Sequence, residues 1–185
     1  STMLKLIAGV MNPTKGDVSV GGTIAPLIEL GAGFDLDLTA RENIFLNGAL
    51  LGHKRSEMRR NFDKIVDFAE LWDFIDAPLR SFSSGMVARL GFAIATEVKA
   101  DILAVDEILA VGDFNFQQKC HVRMQQMLDQ GTTLLFVSHD TEQVKKLCPR
   151  AIWLDHGNRM QDGPSDQVCD AYLEYIRVRK KGGRE

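Results

Sequence analysis

Apolar residues recur at helical spacing through Met58, Phe62, Ile65, Val66, Ala69 and Leu71, one stripe inside a segment from about 38 to 77 that reads as a mainly helical insertion. A second stripe, Met86, Val87, Leu90, Ala93 and Ile94, predicts a helix that begins just after Ser83. The chain opens on a third, carried by Met3, Leu4, Ile7, Ala8 and Val10, which Asn12-Pro13 stops. Two short unbroken apolar runs follow the second stripe. They predict strands at 102–106 and 132–138, buried on both faces and separated by a helical stretch from about 114 to 129. Such a pair suits neighbouring parallel strands joined by a crossover helix. Alternating valines between the glycines of GDVSVGG, residues 16–22, predict a short hairpin, and the TIAPLIEL run after it reads with it as strands at a sheet margin. A last hairpin is expected over 151–163 with its turn at His156-Gly157-Asn158, then a closing helix after Pro164 and a basic, frayed tail. The pattern is α/β: a parallel sheet, an antiparallel β margin and a helical subdomain.

Composition narrows this little, but it excludes some functions. With 185 residues, 45% of them hydrophobic, the chain can bury one sizeable core, and one domain is expected. A formal net charge of -3 gives no general reason to bind nucleic acid or an anionic membrane, so any polyanion should be held locally. Its apolar runs are strand-sized, far below the roughly 18–20 residues that span a bilayer. Cys120, Cys148 and Cys169 are widely spaced and odd in number, which predicts free thiols in a reducing cytoplasm and no metal site.

Four segments carry candidate chemistry. Asp106 and Glu107 end the first predicted strand, where α/β sheets place ligands, and adjacent strand residues face opposite ways. One carboxylate is therefore free to hold a metal while the other orients or deprotonates water. Ser83-Ser84-Gly85-Met86 starts a helix, where N–H groups and the helix dipole attract an anion; Met86 stands where a capping box would place Glu or Gln. His139 follows the second strand, in reach of the same crevice, and an imidazole there can hydrogen-bond a phosphate. Ser1-Thr2 opens the first helix and reads as the end of a Gly-x-x-x-x-Gly-Lys-Ser-Thr phosphate loop whose glycines and lysine are not in the chain. Each segment alone is equally an ordinary part: an acidic pair closing a strand, a serine-capped helix, a histidine after a strand. Their order and spacing set them apart.

In that order they resemble the ABC-type ATPases. FSSGM at 82–86 resembles the family signature Leu-Ser-Gly-Gly-Gln, ILAVDE at 102–107 the Walker B strand, ILAVGD at 108–113 the D-loop, and VSHD at 137–140 the switch-histidine loop. The resemblance implies a P-loop NTPase core with ATP and Mg²⁺ as ligands. It implies residues 1–38 and 97–165 as the α/β core, 39–96 as the helical subdomain, and 166–185 as a C-terminal helix and tail. Two such domains pair head to tail in this family, so Ser83, Ser84 and Gly85 are expected on the partner's nucleotide. By the same carry-over Ser1 would ligate Mg²⁺, Thr2 would lie at the phosphates, Asp106 would hold Mg²⁺ through water, and Glu107 would be the catalytic base. His139 would contact the γ-phosphate and Asp113 would link the two sites.

IELGAGFDLDLTARENIFLNGALLG and FAELWDFIDAPLRSFSSGMVARLGFAIAT further resemble the ATP-binding subunits of bacterial exporters of O-antigen and teichoic-acid type glycans. That implies a homodimer of ATPase subunits beneath a membrane permease, peripheral to the cytoplasmic face of the inner membrane, with membrane contact only through the permease. Ser84 and Met86 depart from the general signature, and only Glu29-Leu30 stands where most members carry a Q-loop glutamine. A soluble non-transport ABC protein and a remnant without ATPase activity are the alternatives; without the phosphate-loop lysine, little turnover is expected of these residues alone.

Overall fold

Polar side chains at Thr39, Ser83, Asp113 and Asp140 close the N-termini of four helices. The computed structural model that shows this describes residues 2–28, 30–97, 99–106 and 112–182, with side chains as far as 179. Thr39 and Glu42 form a reciprocal capping box at the start of α2 (Ala40–Leu50), which follows α1 (Thr2–Ile7) and β1 (Ile24–Leu27). Next come α3 (Arg55–Ala69), single 3₁₀ turns at Trp72–Phe74 and Leu79–Ser81, and α4 (Ser84–Glu97). The chain continues through β2 (Ile102–Asp106), α5 (Phe114–Asp129), β3 (Thr133–Val137) and α6 (Thr141–Leu147). It ends with β4 (Arg150–Asp155), β5 (Asn158–Pro164) and α7 (Ser165–Gly182).

Packing divides the chain into two compact units, residues 1–135 and 136–185. In the first, β1 pairs in parallel with β2, from Ile24 opposite Ile102 to Leu27 opposite Val105, in a sheet ordered β1-β2-β3. Asp101 fixes that register, its Oδ2 accepting from Thr23 N at 2.8 Å and Thr23 Oγ1 at 2.9 Å. Leu4 of α1 is buried against Ile28 and Ala104, which seats the opening helix on the sheet. The helical part has its own core, where the stripe of α3 meets Ala40 and Ile44 of α2 and Leu90, Ala93 and Ile94 of α4. Buried Asn43 ties the loop before α2 in place, accepting from Asp35 N and donating to the carbonyls of Asp35, Leu38 and Thr39. In the second unit, β4 and β5 form an antiparallel pair whose turn carries His156 and Gly157 at φ 47° and 82°. Trp153 of β4 packs against Tyr172 and Tyr175 of α7, with ring centroids 5.8 and 4.9 Å apart.

The parallel strands, helical insertion and closing hairpin stand where the hydrophobic pattern puts them. The hairpin expected at 16–22 does not form; residues 12–23 hold no strand. Gly16 and Gly22, at φ 79° and 137°, break the extended run at both ends, and Val18 is 44% exposed, so the alternation faces no core. TIAPL does stand at the margin of the described sheet, since β1 pairs with β2 alone, but it pairs in parallel, and Ala25 and Leu27 are buried. The strand β3 is not buried on both faces: its residues are half-buried or exposed. It pairs on one side only in the described sheet order, so apolar content there does not translate into burial.

Candidate functional site

The start of α4 lies in a groove of about 730 Å³ whose walls include Glu70, Phe74, Ser83, Gly85, Arg89 and Asp113. Ser83 Oγ accepts from Met86 N at 3.2 Å, so the serine caps the helix although no capping box is possible. The N–H groups of Ser84 and Gly85 precede the first intrahelical bonds, and both residues line the groove. A Cβ built on Gly85 meets nothing closer than Ser83 Oγ at 3.8 Å, leaving space for a phosphate against the backbone.

Asp113 stands on the same groove. Its Oδ1 caps α5 by accepting from Phe116 N at 3.0 Å, while its Oδ2 accepts from Arg89 Nη2 at 2.5 Å. Arg89 also donates through Nη1 to Glu70 Oε2 at 3.2 Å, and its guanidinium lies over the Phe116 ring at 4.8 Å. Lys119 completes the cluster, donating to Glu70 Oε1 at 2.7 Å and to the Phe68 carbonyl at 3.1 Å. Beneath these charges Phe68, Phe92 and Phe116 pack together, with Phe92 and Phe116 buried. The Lys119 hydrogen bond holds the Glu70 carboxyl below its ordinary range, helped by the Arg89 charge. The Phe116 N–H does the same for Asp113, again with Arg89 adding. Gly112, at φ 71°, takes a backbone conformation that strains other residues, and a Cβ there would press at 3.2 Å on Arg89 Nε and Phe116 Cβ.

Of the residues singled out from sequence, Ser83, Ser84, Gly85 and Asp113 are thus brought together. Thr2 is exposed at the N-terminus of α1, and Asp106 is half-buried at the carboxyl end of β2; neither lines this groove. His139 is exposed in the second unit, in a loop shaped by Ser138 Oγ accepting from Asp140 N at 3.0 Å and by Asp140 capping α6. Ser1, Glu29 and Glu107 lie outside the described residues. Glu70, Arg89 and Lys119 were not legible in advance: isolated charges on predicted helices look like solvated surface until the fold gathers them.

A smaller pocket of about 90 Å³ lies between the loop after β1 and the helices α2 and α4, lined by Pro26, Ile28, Gly31, Asn47 and Gly91 among others. Among the described residues no cluster of three or more His, Cys, Asp or Glu side chains could hold a metal ion, and no helix is long and apolar enough to cross a membrane. Cys120, Cys148 and Cys169 are free thiols.

Residues 1–110 match the family described as ABC transporter. The O-antigen export system ATP-binding protein RfbB of Klebsiella pneumoniae is 45% identical over 94% of this chain and 71% of its own length. The teichoic acids export ATP-binding protein TagH of Bacillus anthracis is 40% identical over 96% of this chain but only 32% of its own length. Among solved structures, an ATP-binding subunit of an ABC transporter superposes with a TM-score of 0.79 at 20% identity, over 96% of this chain and 81% of that one. A dimeric post-hydrolysis state of the ATP-binding cassette MJ0796 with ADP and Pi does so with a TM-score of 0.71 at 22% identity, over 89% and 79%. The match spans most of the chain at an identity that only common descent explains, and the fold agrees: this chain belongs to the ABC transporter ATP-binding family.

Proposed function

We propose that this chain is the ATP-binding and hydrolysing subunit of an exporter of cell-surface polysaccharide or polyol phosphate. It would work as a homodimer under a separate membrane permease at the cytoplasmic face of the inner membrane. The observation that carries the reading is the groove at Ser83, Ser84 and Gly85 with Asp113 on its wall: helix N–H groups open to an anion beside a residue suited to a dimer contact. The groove accommodates a phosphate in the space over Gly85. A single carboxylate, Asp106, suits Mg²⁺, which keeps several waters and takes its remaining ligands from phosphate. When bound, Mg²⁺ neutralises charge on the transferred phosphoryl group.

In this reading Ser83, Ser84 and Gly85 hold the terminal phosphate of the nucleotide seated on the second copy. Ser1 and Thr2 stand at the phosphates of their own copy, with the Ser1 hydroxyl on the metal. Glu107 takes the proton of the attacking water, His139 hydrogen-bonds the γ-phosphate, and Asp113 carries the state of one site to the other. The names of the relatives favour export over a soluble, non-transport role. The pocket beside Pro26, Gly31 and Asn47 lies in the segment whose sequence is shared with exporter subunits and is the place proposed for the permease.

Ser84→Arg tests this in the gene product carrying these residues. It fills the groove without touching Asp106, so MgATP turnover should be lost while ATP remains bound. Turnover equal to that of the unsubstituted protein would overturn the reading.

A further inference from the structure

Glu70 presents two oddities that have one explanation. It ends α3 in the left-handed region, at φ 59° and ψ 47°, a place glycine occupies without strain and other L-residues only at a cost. It also puts a carboxylate, 52% exposed, on the wall of a groove whose helix terminus invites anions. The left-handed backbone closes α3, with Glu70 N–H donating to the Val66 and Asp67 carbonyls, but glycine would close it without strain, and a carboxylate does nothing for a phosphate site. Backbone strain that persists in a folded chain points to a task for the side chain it carries.

The contacts identify that task. Glu70 Oε2 accepts from Arg89 at 3.2 Å and Oε1 from Lys119 at 2.7 Å, so the carboxylate joins α4 to α5. Arg89 is only 19% exposed, clamped between Glu70, the Phe116 ring and Asp113. A guanidinium held on three sides, with Nη1 donating to Glu70 and Nη2 to Asp113, is turned away from a phosphate.

We propose that Glu70 is a positioning residue of the groove: its carboxylate locks Arg89 and Lys119 together and so holds Gly112 and Asp113 at a set distance from Ser83, Ser84 and Gly85. The helix terminus and the wall that carries Asp113 then move as one body. Glu70 also spends the positive charge of Arg89 inside the protein, leaving the helix N–H groups as the anion contact. The inference rests on the groove facing a nucleotide.

The αL backbone makes it possible to separate positioning from stability. In the gene product carrying these residues, Glu70→Gly relieves the left-handed strain and removes the lock. Its thermal midpoint should equal or exceed that of the unsubstituted protein, while kcat for MgATP falls about tenfold or more, the size expected when a reacting constellation loses its alignment. KM should stay level or drop, because Arg89 is released toward phosphate. Glu70→Gln keeps the strain but loses the charge, and should lower kcat in the same way. Amide resonances of Gly112 and Asp113 should shift in both variants without nucleotide, whereas those of Ala40 and Ile44 should not. Unchanged resonances at Gly112 and Asp113, or unchanged kcat in Glu70→Gly while Ser84→Arg still abolishes turnover, would overturn the proposal and leave the functional reading standing. Shifted resonances with a Ser84→Arg variant of full activity would instead remove the functional reading, and with it the use proposed for the lock.

Discussion

Arg89 and Asp113, 24 residues apart in sequence, meet through Nη2 and Oδ2 at 2.5 Å, while the other oxygen of Asp113 starts α5. One aspartate therefore serves two helices, and the start of α5 cannot shift without disturbing α4. Replacing Arg89 by Lys keeps the charge but not the fork that reaches Glu70 and Asp113 together, nor the planar group over Phe116. The Lys variant should fold, show altered amide resonances at Gly112 and Phe116, and turn over MgATP more slowly; wild-type spectra and rates would show that the fork is dispensable.

Acid should loosen the same cluster. Glu70 and Asp113 are held below their ordinary values of 4.5 and 3.8, the first mainly by Lys119 and the second mainly by Phe116 N–H. For carboxyls whose folded value is depressed, the stabilisation is fully present above the unfolded value and is lost as pH falls through the folded one. The Gly112 amide should accordingly be steady above pH 4.5 and move only below it, and in Glu70→Gln the part of that change owed to Glu70 should vanish. Movement centred near neutrality would contradict the assignment.

Close backbone approach makes Gly91 a sensitive position. A Cβ there would stand 2.9 Å from Gly31 N and 3.4 Å from the Leu30 carbonyl carbon, atoms that cannot rotate away. Gly91→Ala gains about 1 kcal/mol of helix propensity but should cost about 1–3 kcal/mol in overpacking, because α4 must move off the loop. Urea unfolding should show a net loss of stability; a stabilised variant would mean that the loop yields freely.

Helix boundaries were the most legible feature of the chain, because caps and stripes agree locally. The helical stretch expected from about 114 to 129 is α5, Phe114–Asp129, which the structure shows capped by Asp113 and buried along Phe116, Cys120, Met124 and Met127. What escaped sequence reasoning depended on distant partners. The valines of 16–22 alternate as a strand does, yet the structure assigns no strand to them and leaves Val18 exposed. The run at 133–137 is as apolar as β2, but burial depends on what covers it. At the groove, the serines, Gly85 and Asp113 carried a recognisable order. Glu70, Arg89 and Lys119 carried none, since their meeting depends on α3, α4 and α5 packing around three phenylalanines.

That packing also silences Cys120. The thiol is fully buried, and burial pushes it up to about 12, so almost no thiolate exists near pH 8. Iodoacetamide labelling followed by mass spectrometry should leave Cys120 unmodified in the native protein and modify it in denaturant. Rapid native labelling would show that the α5 core opens readily.

Mixing two inactive variants tests the composite site most directly. Ser84→Arg blocks the groove and Asp106→Asn removes the metal carboxylate, so each gene product alone should be inactive. In a head-to-tail dimer of one with the other, one site joins an intact Asp106 half to an intact Ser83-Ser84-Gly85 groove. Mixing should therefore restore MgATP turnover well above either variant alone. If both variants are folded and dimeric and the mixture stays inactive, the groove does not complete the site of a second copy.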